Sequence, residues 1–249
     1  MKLKYFAILT GVLAVGISGL VAKAQINNPK PLRSFVVTST MSWPQKDSPY
    51  LQTSTQITAV NSDGNWVEAG AIRAPGKVWY ERDIHNFDTG VLTIVDELTQ
   101  SLTTRAIKPH DLKMHLVSPE SCIGASAGQI LGLDVTYVEE ESEMKLPDGD
   151  ASTVIRKWLA VDLGCFVLQK ETIWTRKSDG TILTDTKITP VSVAFQDVSS
   201  FFEIPTAYQE RSPGEVMRLR ATLLNIPMPS DTSGPDKVYQ EEHARLKNP

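Results

Sequence analysis

Between residues 33 and 195 the chain runs through short blocks of alternating apolar and polar positions, each closed by turn-forming residues. Residues 33–42 (RSFVVTSTMS) and 50–60 (YLQTSTQITAV) are rich in β-branched and aromatic side chains, and Asn61-Ser62-Asp63-Gly64-Asn65 follows as a strong turn signal. Residues 65–73, 77–84, 91–98 and 101–107 continue the pattern, broken by Ala74-Pro75-Gly76 and by a polar turn from His85 that ends at Gly90. The second half predicts longer strands at 130–141, 152–163, 166–176 and 181–195. Pro190 falls inside the last of these, which requires an edge position or a bulge because proline has no N–H to give the ladder. Nine or ten such blocks, with no ten-residue helical segments between them, exclude a parallel βαβ winding and predict an antiparallel sheet.

The alternation is imperfect. In 152–163, Ile155, Leu159, Val161 and Leu163 share one face with Lys157, while Val154, Arg156, Trp158 and Asp162 share the other. One face is expected to be buried and the other mixed, as in a sheet with a wet side. The periodicity lengthens only near the end. Ser212-Pro213-Gly214-Glu215 is a capping box with proline at the first helical position, and Val216, Leu219 and Leu223 follow at helical spacing. A helix from Pro213 to about Asn225 is expected, with a second, polar one over 235–246 and a possible helical turn over 109–116.

The first 24 residues break the pattern altogether. Lys2 and Lys4 precede an apolar run from Tyr5 to Val21, and Ala22-Lys23-Ala24 supplies small residues at both cleavage-defining positions, which is the layout of a secretory signal peptide. Export to the periplasm or the extracellular space is expected, with no transmembrane segment after leader cleavage. The domain reading is a leader at 1–24, an antiparallel β domain at 25–210, and a helical segment with a tail at 211–249. In an oxidising compartment Cys122 and Cys165 are expected to form a disulfide; two separate buried thiols are the alternative.

Charge narrows the function classes. The formal net charge is −4, and removing the leader takes away Lys2, Lys4 and Lys23 but no acid. No basic stripe exists to displace counterions from phosphates, so nucleic acid is excluded as a partner.

Few residues point to chemistry. Gly124-Ala125-Ser126-Ala127-Gly128 matches the G-x-S-x-G pattern of a hydrolase nucleophile elbow, which would make Ser126 a nucleophile. That role needs a strand before the serine, a helix after it and a base nearby. Gln129 instead begins another β pattern, so the segment reads as a loop. His110 and His115 are five residues apart, which on a helix separates them by about 140° and defeats a shared metal. His85 falls in a turn. The acidic run Glu139-Glu140-Glu141-Ser142-Glu143 lacks calcium-loop spacing and reads as a solvated loop edge. No metal, cofactor or catalytic set emerges. Trp43, Trp66, Trp79, Trp158 and Trp174 lie in or beside predicted strands, as core or as the lining of an apolar pocket.

Three stretches together resemble a known group: NFDTGVLTIVD at 86–96, RKWL at 156–159 leading through GCFVLQK to Trp174, and FFEIPTAY at 201–208. They are similar to a widespread set of exported bacterial proteins with a single β-rich domain. That set in turn resembles the half-barrel of LolA/LolB-type lipoprotein carriers. The resemblance implies a strongly curved antiparallel sheet, an open or half barrel, holding a hydrophobic small molecule, a lipid or a lipoprotein in its concavity. The chain departs from the carriers in having no long amphipathic helix before residue 33, and no carrier residue transfers to a numbered position. The expected fold is therefore all-β to α+β: one curved sheet of about nine to eleven strands with one or two C-terminal helices. Its expected role is non-enzymatic binding of a hydrophobic guest. A protein-interaction module using a sheet edge or face is the alternative, and a serine hydrolase at Ser126 the minor one.

Overall fold

A computed structural model describes residues 33–44, 51–74, 76–107, 122, 124–146, 149–227, 234, 236–237 and 239–240. The leader at 1–24, the possible helical turn at 109–116 and His110 and His115 lie outside the described residues. Twelve strands form one sheet: β1 (Phe35–Pro44), β2 (Leu51–Val60), β3 (Trp66–Ala74), β4 (Lys77–Asn86), β5 (Val91–Asp96), β6 (Ser101–Ala106), β7 (Ala125–Ile130), β8 (Leu133–Leu146), β9 (Gly149–Ala160), β10 (Phe166–Arg176), β11 (Ile182–Phe195) and β12 (Gln209–Glu210). Their order is β12-β6-β5-β4-β3-β2-β1-β11-β10-β9-β8-β7, so two antiparallel meanders are joined where β1 pairs with β11. Every pairing is antiparallel except the two-residue β12, which runs parallel to β6. The sheet is open and curved.

Local chemistry accounts for most boundaries. Pro190 sits at a register irregularity where Thr38 pairs with Ser192 and Ser39 with Pro190, leaving Val191 as the extra residue of a bulge. The missing N–H is thereby accommodated inside a central strand. Helix α1 (Pro213–Leu224) starts at the expected box. The Ser212 hydroxyl accepts from the Glu215 N–H, and the Glu215 carboxylate accepts from the Ser212 N–H, while Asn225 closes the helix in the left-handed region. Among the described residues of 235–246, Asp236, Lys237, Tyr239 and Gln240 are helical, as is Gly234 before them. Asp236 accepts a 2.8 Å hydrogen bond from the Gly214 N–H and so ties this segment to the start of α1.

Two elements differ from expectation. Residues 125–130 form strand β7 rather than a loop, and β8 begins at Leu133 after a two-residue turn. Leu131 and Gly132 both take positive φ, 51° and 78°, which is the geometry a tight hairpin needs. A pattern-based reading skips β7 because its alanine, serine and glycine carry no alternation of their own. The acidic run is not a loop edge either. It lies within β8, with Glu139, Glu141 and Glu143 on one face and Glu140 on the other, and its charges are answered across the sheet. Arg156 meets Glu139 at 2.8 Å, Lys157 meets Glu140 at 2.6 Å, and Lys177 pairs with Glu143. Strand β4 also extends past the expected turn, placing His85 opposite Trp66 with ring centroids 5.2 Å apart.

The core divides in two. Phe35, Val37, Val60, Val135, Ala160, Leu163 and Leu168 form one cluster, with Trp66, Ile130, Leu133, Trp158, Phe166 and Val193 against it. Trp66 is on β3 and Leu133 on β8, six strands apart in the sheet order. At ~4.8 Å per strand they would be roughly 29 Å apart in a flat sheet, so a shared cluster requires the sheet to curl and this cluster to close one end of the curl. The second cluster (Val36, Ala59, Val67, Ile84 and Val95) lies on the opposite face of β1–β5. The return segment covers it with Val198, Phe201, Phe202 and Tyr208. Arg82 donates a 2.9 Å hydrogen bond to the Phe201 carbonyl and pins that cover. Burying each of these valines contributes about 1.5–3 kcal/mol.

The disulfide between Cys122 and Cys165 is present, with Cα atoms 5.4 Å apart, and anchors residue 122 to the turn between β9 and β10. Among the described residues no helix is long and apolar enough to cross a membrane.

Candidate functional site

Strand alternation assigns one face of β1–β6 to Phe35, Val37, Ser39 and Met41 of β1 and to their register partners. The rows follow directly from the pairing. Phe35, Val60, Trp66, His85 and Leu92 form a mostly apolar floor. Above it run Val37, Thr58, Glu68, Asp83, Ile94 and Thr103, then Ser39, Gln56, Gly70, Glu81, Asp96 and Ser101. Met41 beside Ser54, and Ile72 beside Trp79, make the rim. A cleft of about 190 Å³ opens on this face, lined by Met41, Ser54, Gln56, Glu68, Gly70, Ile72, Glu81 and Asp83 among others. Gly70 widens it, since a Cβ built there would meet no atom within 4 Å.

This is the inner face of the curl. Glu68 on β3 interacts electrostatically with Lys170 on β10, four strands along the sheet. Flat, their backbones would be about 19 Å apart at ~4.8 Å per strand, so the charges face one another across a concavity.

The carboxylates of the cleft fall into two rows, and in each row they stand directly opposite on neighbouring strands: Glu68 with Asp83, and Glu81 with Asp96. Like charges in that relation destabilise a sheet. The outer row is neutralised from α1. The Arg220 guanidinium donates to Asp96 at 2.5 Å and also to Glu81, and it lies 5.9 Å over the Trp79 ring. Asp96, only 2% exposed, also accepts from the Leu98 and Thr99 N–H groups at 2.8 and 3.1 Å.

The inner row has no such clamp. Asp83 Oδ1 is buried with no hydrogen-bond partner. Burial, together with the negative Glu81 and Glu68, pushes the Asp83 carboxyl up to about 6, against the pull of Arg105 and Arg220. Glu68 is solvent-exposed, although protein atoms crowd around its carboxyl. Burial raises its carboxyl, opposed by Lys170. An apolar concavity is thus not what the first half of the sheet presents. Its outer face is apolar under the 198–208 cover, whereas its inner face is apolar at the floor and rim and carries carboxylates and other polar side chains between them.

The second half contributes a more apolar stretch of inner face. Ile188 pairs with Met41, and Ile155 and Trp174 follow on β9 and β10, with Thr172, Lys157 and Lys170 between them. All of these are half-buried. Of the tryptophans, Trp43, Trp66, Trp79 and Trp174 fall on the inner face by register, and Trp158 packs against the apolar cluster at the closed end. Trp66 joins the floor, and Trp79 is 7% exposed beneath Arg220.

Ser126 is not at a nucleophile elbow. It sits exposed in edge strand β7, opposite Thr136, with a register irregularity after it and no helix. Among the described residues no group of His, Cys, Asp and Glu side chains is arranged to hold a metal. The carboxylate rows escaped the sequence reading because Glu68, Asp83 and Glu81 are scattered on two strands. Only the register between β3 and β4 brings them together.

No protein-family model matches the chain, and no curated protein matches it. Among solved structures it aligns with the LolA superfamily protein NE2245 from Nitrosomonas europaea, with a TM-score of 0.31 and 9% identity over 70% of this chain and 91% of that one. A DUF1329 family protein from Desulfovibrio piger aligns with a TM-score of 0.20 and 13% identity, over 69% and 90% of the two chains. Scores at this level record a loose likeness of form.

Proposed function

We propose that the protein is a non-catalytic binding protein of the cell envelope, holding an apolar or lipid-bearing guest along the inner face of its curved sheet. Residues 25–210 would form the binding domain, preceded by a cleaved leader at 1–24 and followed by the helical segment at 211–249. The observation that carries this reading is a concavity with one end closed by the apolar cluster and the other bordered by Met41, Ile72 and Ile188. At about 190 Å³ the cleft is smaller than pockets that enclose a whole drug-sized ligand. The guest would therefore enter by one end and extend over Ile155 and Trp174. The intramolecular disulfide supports a site of action in an oxidising compartment, periplasmic or extracellular.

Organic extraction of the purified protein followed by mass spectrometry tests the proposal. A stoichiometric apolar molecule is expected from the natural sequence and much less from Gly70→Leu, whose Cβ meets no atom within 4 Å and whose side chain would occupy the cleft. Guest-free protein that also fails to bind an apolar dye overturns it.

A second reading, docking of a protein partner by strand addition, is favoured by one observation. Strand β7 pairs with β8 only as far as Tyr137, so β8 from residue 138 onward presents an edge that no described strand occupies. Its glutamates are equally the charges that keep such an edge from aggregating.

A further inference from the structure

Within the guest-binding reading, on which this inference rests, the two carboxylate rows of the cleft differ in a way that assigns them different work. The Glu81/Asp96 row is closed by Arg220 through hydrogen bonds to both carboxylates. The Glu68/Asp83 row lies one step nearer the floor and, among the described residues, forms no ion pair with a guanidinium or ammonium group. Two carboxylates opposed on adjacent strands, with Cβ atoms about 5 Å apart, repel one another when both are ionised, which favours protonation of one of them.

We propose that Glu68 and Asp83 form a proton-accepting pair that sets the charge of the cleft, so that an apolar guest is held more tightly as the pH falls. The step is a simple protonation: a proton from solvent adds to the Asp83 carboxylate, and the row loses one negative charge.

The surroundings favour that step and limit it. Toward Asp83 face Glu68 from β3, Glu81 and His85 from its own strand, Asp96 from β5, Arg105 from β6 and Arg220 from α1; toward Glu68 faces Lys170 from β10. Arg220 is already committed to Glu81 and Asp96. Arg105 and Lys170 pull toward the ionised form, and burial with the neighbouring carboxylates pushes the other way. The balance leaves Asp83 near 6. An apolar occupant expels water from the cleft and penalises the ionised pair further, so binding takes up a proton and affinity rises on acidification. The same sign governs folding. A carboxyl raised above its unfolded value contributes stability that is complete below the unfolded value and is lost as pH rises through about 6.

Two measurements on the full mature chain test the proposal together. The first is the affinity for the neutral dye N-phenylnaphthylamine; the second is the thermal midpoint of unfolding with no dye present. Between about pH 8 and pH 5 the natural sequence should gain roughly threefold to tenfold in dye affinity and rise in midpoint, while Asp83→Asn should bind tightly throughout and lose most of both slopes. The conservative Glu68→Gln should weaken the slopes in the same direction, which guards against a folding defect in one variant. Slopes unchanged in both variants, or no pH dependence in the natural sequence, overturn the proton pair. Absent dye binding at every pH, with the stability slope intact and removed by Asp83→Asn, overturns the guest reading and the affinity coupling but upholds the proton pair itself.

Discussion

The outer face of β8–β11 and the inner face of β3–β5 each set four ionisable side chains in cross-strand register, on opposite principles. On the outer face Glu139, Arg156, Glu171 and Lys187 succeed one another across four strands with alternating sign. Their contacts are 2.8, 3.8 and 2.7 Å. On the inner face Glu68, Asp83, Glu81 and Asp96 repeat one sign, and a single arginine from a different element offsets half of them. The ladder is what a sheet does with charges it needs only for solubility and register. The carboxylate rows run against register preference, and a fold keeps such an arrangement only where the rest of the structure enforces it. Electrostatic tension of this kind collects at functional sites, which is why the cleft, and not the ladder, carries the functional reading.

The largest effect should come from removing the one cation that reconciles the outer row. Arg220→Met leaves Asp96, 2% exposed, without its guanidinium and returns Glu81 to face it unshielded. A loss of about 3 kcal/mol in unfolding free energy is expected, as for other buried pairs broken from one side. Urea unfolding at neutral pH measures it. A cost below ~1 kcal/mol would mean that the N–H groups of Leu98 and Thr99 satisfy Asp96 unaided and that α1 is held by other contacts.

The contrast also explains what could be read from the sequence alone. Antiparallel architecture, the bulge at Pro190, the capping box of α1 and the disulfide all rest on signals within a few residues or on compartment chemistry, and all are present. Strand β7 was hidden because ASAGQI has no side-chain alternation; β8 supplies the pairing that makes it a strand. The acidic stretch of β8 looked like a loop because glutamate is a poor strand former by itself, while its partners Arg156, Lys157 and Lys177 lie at least a dozen residues away in the chain. The polar character of the cleft was hidden for a different reason. Alternation shows that two faces differ but not which one curls inward, and here the return segment at 198–208 draws the apolar face of the first half outward. The resemblance to a carrier half-barrel pointed to the right shape and to a more apolar interior than the first half of the sheet provides.

A smaller effect sharpens the inner half of the comparison. Glu68→Gln takes away one of the two carboxylates that raise Asp83, so the Asp83 carboxyl should fall toward its ordinary range. The sign follows directly: the raised group costs stability above about pH 6, so relieving it should raise the thermal midpoint at pH 8 by about 2–4 °C, the shift expected for ~1 kcal/mol in a domain of this size, and change little at pH 5. Equal shifts at both pH values would point to packing or to the Lys170 contact instead of the proton balance.

The smallest effect belongs to the ladder. Glu171 stands between two cations, Arg156 at 3.8 Å and Lys187 at 2.7 Å, and its side chain is 20% exposed, so Glu171→Gln interrupts the alternation at its best-placed member. Even so the expected cost is only about 0.2–1 kcal/mol, because each partner stays hydrated and regains water when the carboxylate goes. Salt provides the complementary readout. At ~1 M ionic strength, where charges separated by more than ~3 Å are screened, the variant and the natural sequence should unfold at nearly the same urea concentration, whereas the Arg220→Met deficit should persist. A ladder variant as damaging as Arg220→Met, or an Arg220→Met deficit that salt erases, would show that the number of ion pairs and not their burial sets the energetics of this sheet, and the distinction between its two charged faces would be lost.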